Sequence, residues 1–212
     1  MTDACVELAA DPADLATRDD VEAALRLHGE PVRFVGWNLS EAKLKGIDFN
    51  SCEFVRCRAA RADFSSCDLS DTRFSSCDLN NTDWTRATLS AALFQDCRLT
   101  GMQLIAARTL GLSFERCLLV SAQLRGLSFR RSELEELDFE GADLTEVDFR
   151  EATLERCSLR DANVTHARFE GADLRNSDLG NLSLADASRF KGAIISKQQA
   201  ANLLSGLGLK VI

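Results

Sequence analysis

Large apolar residues return at every fifth position along most of this chain. Eleven of the twelve phenylalanines stand at numbers leaving the same remainder on division by five, from Phe34, Phe49 and Phe54 to Phe149 and Phe169; Phe190 alone is out of step. Of the 33 positions in that phase between 34 and 194, 30 carry Phe, Leu, Trp, Val or Ile, the exceptions being Ala59, Thr109 and Arg189. The count runs on without a break to Ile194. A period of five matches neither the 3.6 of a helix nor the 2 of a strand, so the pattern predicts a repeat architecture.

The remaining phases complete the unit. Two residues before the large centre the chain prefers small side chains, as in Ala42, Cys52, Ala62, Cys67, Cys77, Ala92, Ala142 and Ala172. One residue before it stand Asp48, Asp63, Asp68, Asp78, Asp143 and Asp173. Two residues after it come Gly36, Gly46, Gly101, Gly111, Gly126, Gly141 and Gly171, or Asn81, Asn176, Asn181, Asp71 and Asp161. Gly, Asn and Asp tolerate left-handed backbone, so that phase reads as a corner. A large and a small residue two apart on extended backbone point the same way, here inward.

Two columns set the size of a coil. Phe34, Phe54, Phe74, Phe94 and Phe114 recur every twenty residues, and Cys57, Cys77, Cys97, Cys117 and Cys157 keep the same spacing with one rung missed at Leu137. Like stacked on like at that interval predicts four sides per coil. Residues 32–194 then form an all-β solenoid, a quadrilateral β-helix of about eight coils and about 38 Å at the usual strand separation. Both prolines, Pro12 and Pro31, fall outside it, as expected where each coil needs its amides for the next.

A solenoid has raw ends that must be covered. Thr17 with Asp20 has the form of a capping box, and Val21, Ala24, Leu25 and Leu27 give a helical stripe up to Gly29, predicting a closing helix over 18–28 within an N-terminal segment 1–31. Residues 1–16 stay ambiguous. In the segment 195–212, Ser196 can cap a helix from Lys197 to Ser205, with Gly206 as its stop and a terminal strand Leu209–Ile212 behind it. That much apolar surface on the last seventeen residues predicts a second subunit, with Leu203, Leu204, Leu207, Leu209 and Val211 as the dimer interface. A helix that merely caps its own coil is the alternative.

The chemistry suggested by composition is sparse. Eight cysteines could invite metal or disulfide readings, but stacked Cβ atoms point in parallel, which suits neither, and an inward cysteine is a small apolar filler. Their number fits a reducing compartment. His28 and His166 are paired by spacing with no nucleophile, and neither a P-loop nor a dinucleotide fingerprint occurs. No catalytic residue, cofactor or metal is expected; the protein reads as not an enzyme. Met1–Ala10 holds Asp3 and Glu7 and no basic start before an apolar run, and no apolar stretch reaches membrane-span length, so a cytoplasmic protein with no membrane partner is expected. Charge says more. Residues 131–180 hold fourteen acids against six bases, an excess equal to the whole chain's −8. Direct nucleic-acid binding is disfavoured, and a basic groove on a partner is favoured.

The units Ala142-Asp143-Leu144-Thr145-Glu146 and Ala172-Asp173-Leu174-Arg175-Asn176 resemble the A(D/N)LXX signature of the pentapeptide-repeat family, a match extending over about three quarters of the chain. The resemblance implies right-handed coiling. Ser196-Lys197-Gln198-Gln199-Ala200 through Leu207-Gly208-Leu209-Lys210-Val211 is similar to the C-terminal module of Qnr-type members, which pair end to end as homodimers. Such members imitate duplex DNA in the DNA-binding saddle of a type II topoisomerase, DNA gyrase, and confer resistance to quinolones or related poisons. On that resemblance Asp138, Asp143, Asp148, Glu151, Asp173 and Asp178 are the expected phosphate surrogates. Qnr-type proteins often carry loops that interrupt the repeat; this register has none and resembles loop-free members. The inversion at Thr109-Leu110-Gly111-Leu112 reads either as a surface bulge or as a repacked rung beside Met102. The alternative functions are a scaffold for an unrelated partner, or acids that only solubilise, since they fall on all four faces.

Overall fold

The computed structural model describes residues 5–11, 13–28, 31–180, 187–206 and 208–210, and the chain divides into two compact units, Met1–Leu118 and Leu119–Ile212. Each is a β-solenoid built from five-residue sides. In the first unit, β1 (Val6–Ala9), β2 (Val32–Val35), β3 (Glu53–Val55), β4 (Arg73–Ser75), β5 (Leu93–Gln95) and β6 (Ser113–Glu115) form one parallel sheet in chain order. In the second, β7 (Glu133–Glu135), β8 (Thr153–Ser158) and β9 (Asp173–Asp178) form another. From β2 onward in the first unit, each residue pairs with the one twenty later: Phe34 with Phe54, Phe54 with Phe74, Phe74 with Phe94. The other sides keep the same step through isolated bridges such as Asp63 to Asp83 and Asp48 to Asp68.

The centre residues form the core. Rings of Phe34, Phe54, Phe74, Phe94 and Phe114 stack with centroids 4.9, 4.7, 4.8 and 5.4 Å apart. A second stack sets Phe64 on Trp84 at 4.5 Å. In the second unit Phe129, Phe149 and Phe169 repeat the arrangement at 5.4 and 4.9 Å. Coil spacing and ring stacking distance thus coincide, and each stacked pair contributes about 0.5–1.5 kcal/mol beyond its buried area.

The corners obey geometry more strictly than composition. Among the described residues, twenty-one non-glycine residues, Arg56, Arg86, Arg116 and Glu136 among them, hold positive φ, all in the phase two after the centre. Every such residue carries strain, so the fold, rather than a local preference for Gly or Asn, sets the corner. Corner amides such as those of Glu41 and Arg56 donate to the carbonyl nineteen residues on, Glu41 N to Ala60 O at 2.9 Å and Arg56 N to Ser75 O at 2.9 Å.

The N-terminal segment contributes more than a helix. Val6–Ala9 pairs in parallel with Val32–Val35 and adds a strand at the edge of the first coil, a role that the alternation of residues 1–16 does not reveal. Helix α1 (Arg18–His28) begins at a reciprocal capping box: Thr17 N and Oγ1 donate to Asp20 Oδ2 at 2.8 and 2.7 Å. Val21 and Ala24 are buried, whereas Leu27 is 79% exposed and lies off the expected stripe. Arg18 Nη1 ties the helix to the coil through Lys45 O at 2.8 Å.

At the other end the five-residue count fails once. Phe169 N bonds Arg189 O and Leu174 N bonds Ile194 O, one residue later than the nineteen-residue step seen from Phe149 N to Arg168 O. One extra residue therefore lies between Leu179 and Phe190. It brings the out-of-step Phe190 onto Phe169, centroids 5.0 Å apart and planes 7° from parallel. Arg189 is thereby displaced from the rung. Ile194, expected in the core, instead occupies the outward phase opposite Asp173 and is 48% exposed.

Helix α2 (Lys197–Gly206) then closes the coil. Ser196 N donates to Gln199 Oε1 at 2.7 Å and Gln199 N to Ser196 Oγ at 3.2 Å. The buried Gln199 Nε2 donates to Leu174 O and Ser177 O at 2.6 and 2.7 Å, meeting carbonyls that have no further coil above them. Gly206 is the last helical residue, and at Gly208 a φ of +81° permits Leu209 N to bond Leu204 O at 3.1 Å. This turn leaves Leu209 and Lys210 outside any strand; Leu207, Val211 and Ile212 lie outside the described residues.

Candidate partner-binding surface

The inward small phase is chemically quiet for a visible reason. Cys57, Cys77, Cys97 and Cys117 each direct Sγ at the carbonyl 23 residues earlier, that of Phe34, Phe54, Phe74 and Phe94, at 3.3–3.5 Å. Cys157 does the same to Leu134 O at 3.5 Å. Thr72 and Ser177 place hydroxyls on Phe49 O and Leu154 O by the same 23-residue step, both at 2.9 Å. The position thus accepts any small side chain with one donor. None of the eight cysteines is in a disulfide. Burial pushes Cys52 up to about 11, Cys67 to about 12 and Cys157 to about 11, so these thiols are held protonated. Among the described residues no group of three or more His, Cys, Asp or Glu side chains could hold a metal ion.

Outward, the aspartates before the centre serve first as turn caps. Asp138 Oδ1 accepts from Glu140 N at 3.0 Å, and Asp143 Oδ1 from Thr145 N at 3.0 Å and Asn163 Nδ2 at 3.2 Å. This is the local hydrogen bonding by which Asx residues stabilise bends. Four of the six expected surrogates also carry arginine partners. Asp148 meets Arg150 at 2.6 Å, Asp173 meets Arg175 at 2.6 Å and Asp178 meets Arg160 at 2.8 Å. Glu151 lies between Arg131 at 2.8 Å and Arg130 at 2.9 Å. Hydrogen bonds from these guanidinium groups lower the carboxyl pKa in all four. Charge at those positions is largely balanced.

The unbalanced acids are differently placed. Asp138, Glu140, Asp143 and Asp161 have no ion-pair partner among the described residues, and neither has Glu133. The first four gather about one corner. Asp138 and Glu140 stand on one side, Gly141 turns the corner with φ +63°, and Asp143 opens the next side. Asp161 lies one coil on at the same corner, since Gly141 N bonds Arg160 O at 2.9 Å. Glu140 and Asp161 were not among the expected site residues. Asp161 has no arginine at the spacings where pairs form, 20 residues for Arg131 with Glu151 and Arg156 with Glu136 and two for Asp148 with Arg150. Glu140 has Arg160 twenty residues on, but Arg160 is paired with Asp178 at 2.8 Å, and only its longer-range attraction reaches Glu140 and Asp161.

Coils of twenty residues with inward centres and left-handed corners agree with the model of the pentapeptide repeat region, which matches residues 30–104 and 112–190. The chain belongs to the pentapeptide-repeat family. Among solved structures, this pentapeptide-repeat protein is similar to full-length QnrB1, a plasmid-mediated fluoroquinolone resistance protein, at 21% identity and a TM-score of 0.74, with 97% of this chain and 98% of that chain covered. A trypsin-treated form of QnrB1 matches at 24% identity and a TM-score of 0.70, with 98% of each chain covered. The likeness shows the fold, a right-handed quadrilateral β-helix. No curated protein matches the chain in sequence.

Of the remaining expected residues, Leu203 and Leu204 lie on the C-terminal helix and Leu209 beyond it. Leu203 is 8% exposed, buried in its own chain, while Leu204 is 38% and Leu209 55% exposed. Of the histidines, His166, at a corner, accepts at Nδ1 from Arg189 Nη2 at 2.7 Å. No helix among the described residues is long and apolar enough to cross a membrane.

Proposed function

We propose that this is a non-catalytic, cytoplasmic interaction protein that imitates duplex DNA toward a type II topoisomerase, DNA gyrase, and modulates its activity or its sensitivity to inhibitors. The observation that carries the reading is the gathering of Asp138, Glu140, Asp143 and Asp161, none in an ion pair among the described residues, about one corner of the second unit. Carboxylates fixed on a stiff backbone at coil spacing, about 4.8 Å, present charge to a basic groove with little ordering left to complete. Asp148, Glu151, Asp173 and Asp178 become surrogates only where a partner's cations displace their arginines. The fluoroquinolone-resistance role named for QnrB1 supports the choice of partner.

A homodimer formed through Leu204 and Leu209 would double the acidic surface. The test is DNA supercoiling by purified gyrase, with and without a fluoroquinolone. Wild-type protein is expected to inhibit the enzyme or protect it from the drug. Asp138→Lys with Asp143→Lys is expected to lose at least about tenfold of that effect, equivalent to about 1.4 kcal/mol, while loss of the two turn caps costs the coils about 1 kcal/mol each and leaves them folded. Wild-type protein without any effect at micromolar dimer would exclude gyrase as the partner.

A further inference from the structure

The stretch that the repeat model passes over, residues 105–111, is also where the inside-out order of the first unit is inverted. Thr109 stands on the rung, only half-buried, while the leucine that belongs there by size, Leu110, faces outward at 85% exposed. Neither a bulge nor a repacked rung accounts for this. The backbone keeps step: Leu89 N bonds Arg108 O at 2.7 Å, Ala91 N bonds Leu110 O at 2.8 Å, and Leu112 N bonds Thr109 O at 3.1 Å. Exchanging the two side chains would therefore require no change of path, yet the chain leaves its leucine in water.

Leu110 is not alone. Ile105, on the preceding side of the same coil, is 55% exposed. Ala106 turns the corner between them and Gly111 the next one, with φ of 53° and 74°. One coil down, the patch rests on Thr85, Ser90 and Ala91, all small and uncharged. A contiguous apolar surface of this kind marks an interaction site more often than a scattered leucine does.

Charge identifies the partner's chemistry. Between Asp83 and Glu115 the chain has a single acid, Asp96, in a protein with 33 of them, and Asp96 is taken by Arg116 at 2.7 Å. Arg86 lies directly beneath the Ile105–Ala106 corner, its amide bonded to Ile105 O at 2.9 Å, and Arg108 stands outward between Ile105 and Leu110. Both are exposed, and neither has an ion pair among the described residues. On an acidic molecule this is an island of two large aliphatic side chains flanked by two uncommitted guanidinium groups.

We propose that Ile105 and Leu110, flanked by Arg86 and Arg108, form a docking surface for an apolar segment of another protein bordered by carboxylates. The surface lies in the first unit and is independent of the acidic corner of the second. Desolvating the aliphatic pair supplies the attraction, and the arginines select acidic over basic flanks.

The experiment uses the full chain and two fluorescent peptides, one with paired leucines flanked by aspartates and its isomer with lysines in place of the aspartates. Wild-type protein is expected to bind the acidic peptide saturably, at least about tenfold tighter than the isomer, and more weakly as salt rises. Thr109→Leu with Leu110→Thr restores the regular order and removes the patch. It is expected to lose binding at least about tenfold while melting no lower than wild type, which separates loss of the surface from loss of the fold. Arg86→Glu with Arg108→Glu is expected to reverse the preference between peptides. The proposal is overturned if the wild type shows no saturable binding at millimolar peptide, if both isomers bind alike, or if the exchanged variant binds as well as wild type. It is equally overturned if the patch proves to hold a second copy, seen as a rise of mass with concentration that only the exchanged variant abolishes.

Discussion

At the scale of the residue, the inward small position shows how one geometric rule admits several chemistries. A thiol, a threonine hydroxyl and a serine hydroxyl all reach the same carbonyl 23 residues back, so the column of cysteines reflects packing with one weak donor each. Their burial has a pH signature. Cys52, Cys67 and Cys157 have folded values of about 11, 12 and 11 against an ordinary value of 9.0. Above pH 9 the unfolded chain releases protons that the folded chain retains, so stability is full below that pH and falls as pH rises toward the folded values. Each thiol contributes a slope of at most about 1.4 kcal/mol per pH unit. Urea midpoints on either side of pH 9 are expected to show this loss, and the variant Cys52→Ala/Cys67→Ala/Cys157→Ala a shallower one. An identical slope in both proteins would assign the alkaline loss to other groups.

At the scale of the element, the five-residue register made the sides, the corners and the aromatic stack legible, because each coil repeats the last and errors do not accumulate. What it hid was the single place where a coil gains a residue. The clue was present in two residues, Phe190 out of phase and Arg189 in a core phase, yet a count by fives cannot assign them jointly unless stacking is considered. With Phe190 on Phe169 at 5.0 Å, Phe190→Ala is expected to lower stability by about 2 kcal/mol, below the range for a fully enclosed ring because Phe190 is half-buried. Arg189→Ala should change stability by less than about 0.5 kcal/mol. Equal costs at the two positions, measured by chemical denaturation, would place the arginine rather than the ring in the rung. The strand Val6–Ala9 was illegible for a different reason: it pairs across a 26-residue step, Val6 with Val32, and shares no period with the repeat.

At the scale of the whole molecule, net charge was readable and its deployment was not. The excess of acids over residues 131–180 follows from composition. Which acids remain without an ion pair depends on arginines two, 18, 20 or 21 residues away and on which acid each arginine takes, spacings that acquire meaning only once the coil length is known. The same holds for the C-terminal leucines. A helical stripe names Leu203 and Leu204 alike, but only the structure distinguishes Leu203, packed on its own coil, from the outward side chains. Those are Ile194, Ile195, Leu204 and Leu209, at 48, 37, 38 and 55% exposed, four large aliphatic residues within sixteen positions. Covering them by a second subunit stabilises a dimer in proportion to the area removed from water, about 25 cal/mol per Å². Leu204→Glu with Leu209→Glu is therefore expected to halve the mass measured by light scattering and to leave the melting temperature of the coils nearly unchanged. Leu203→Glu, by contrast, is expected to lower the melting temperature through loss of its own chain's packing. An unchanged mass in the double variant would exclude this end as the seam, and a fall in mass with Leu203→Glu alone, at unchanged melting temperature, would return Leu203 to the interface.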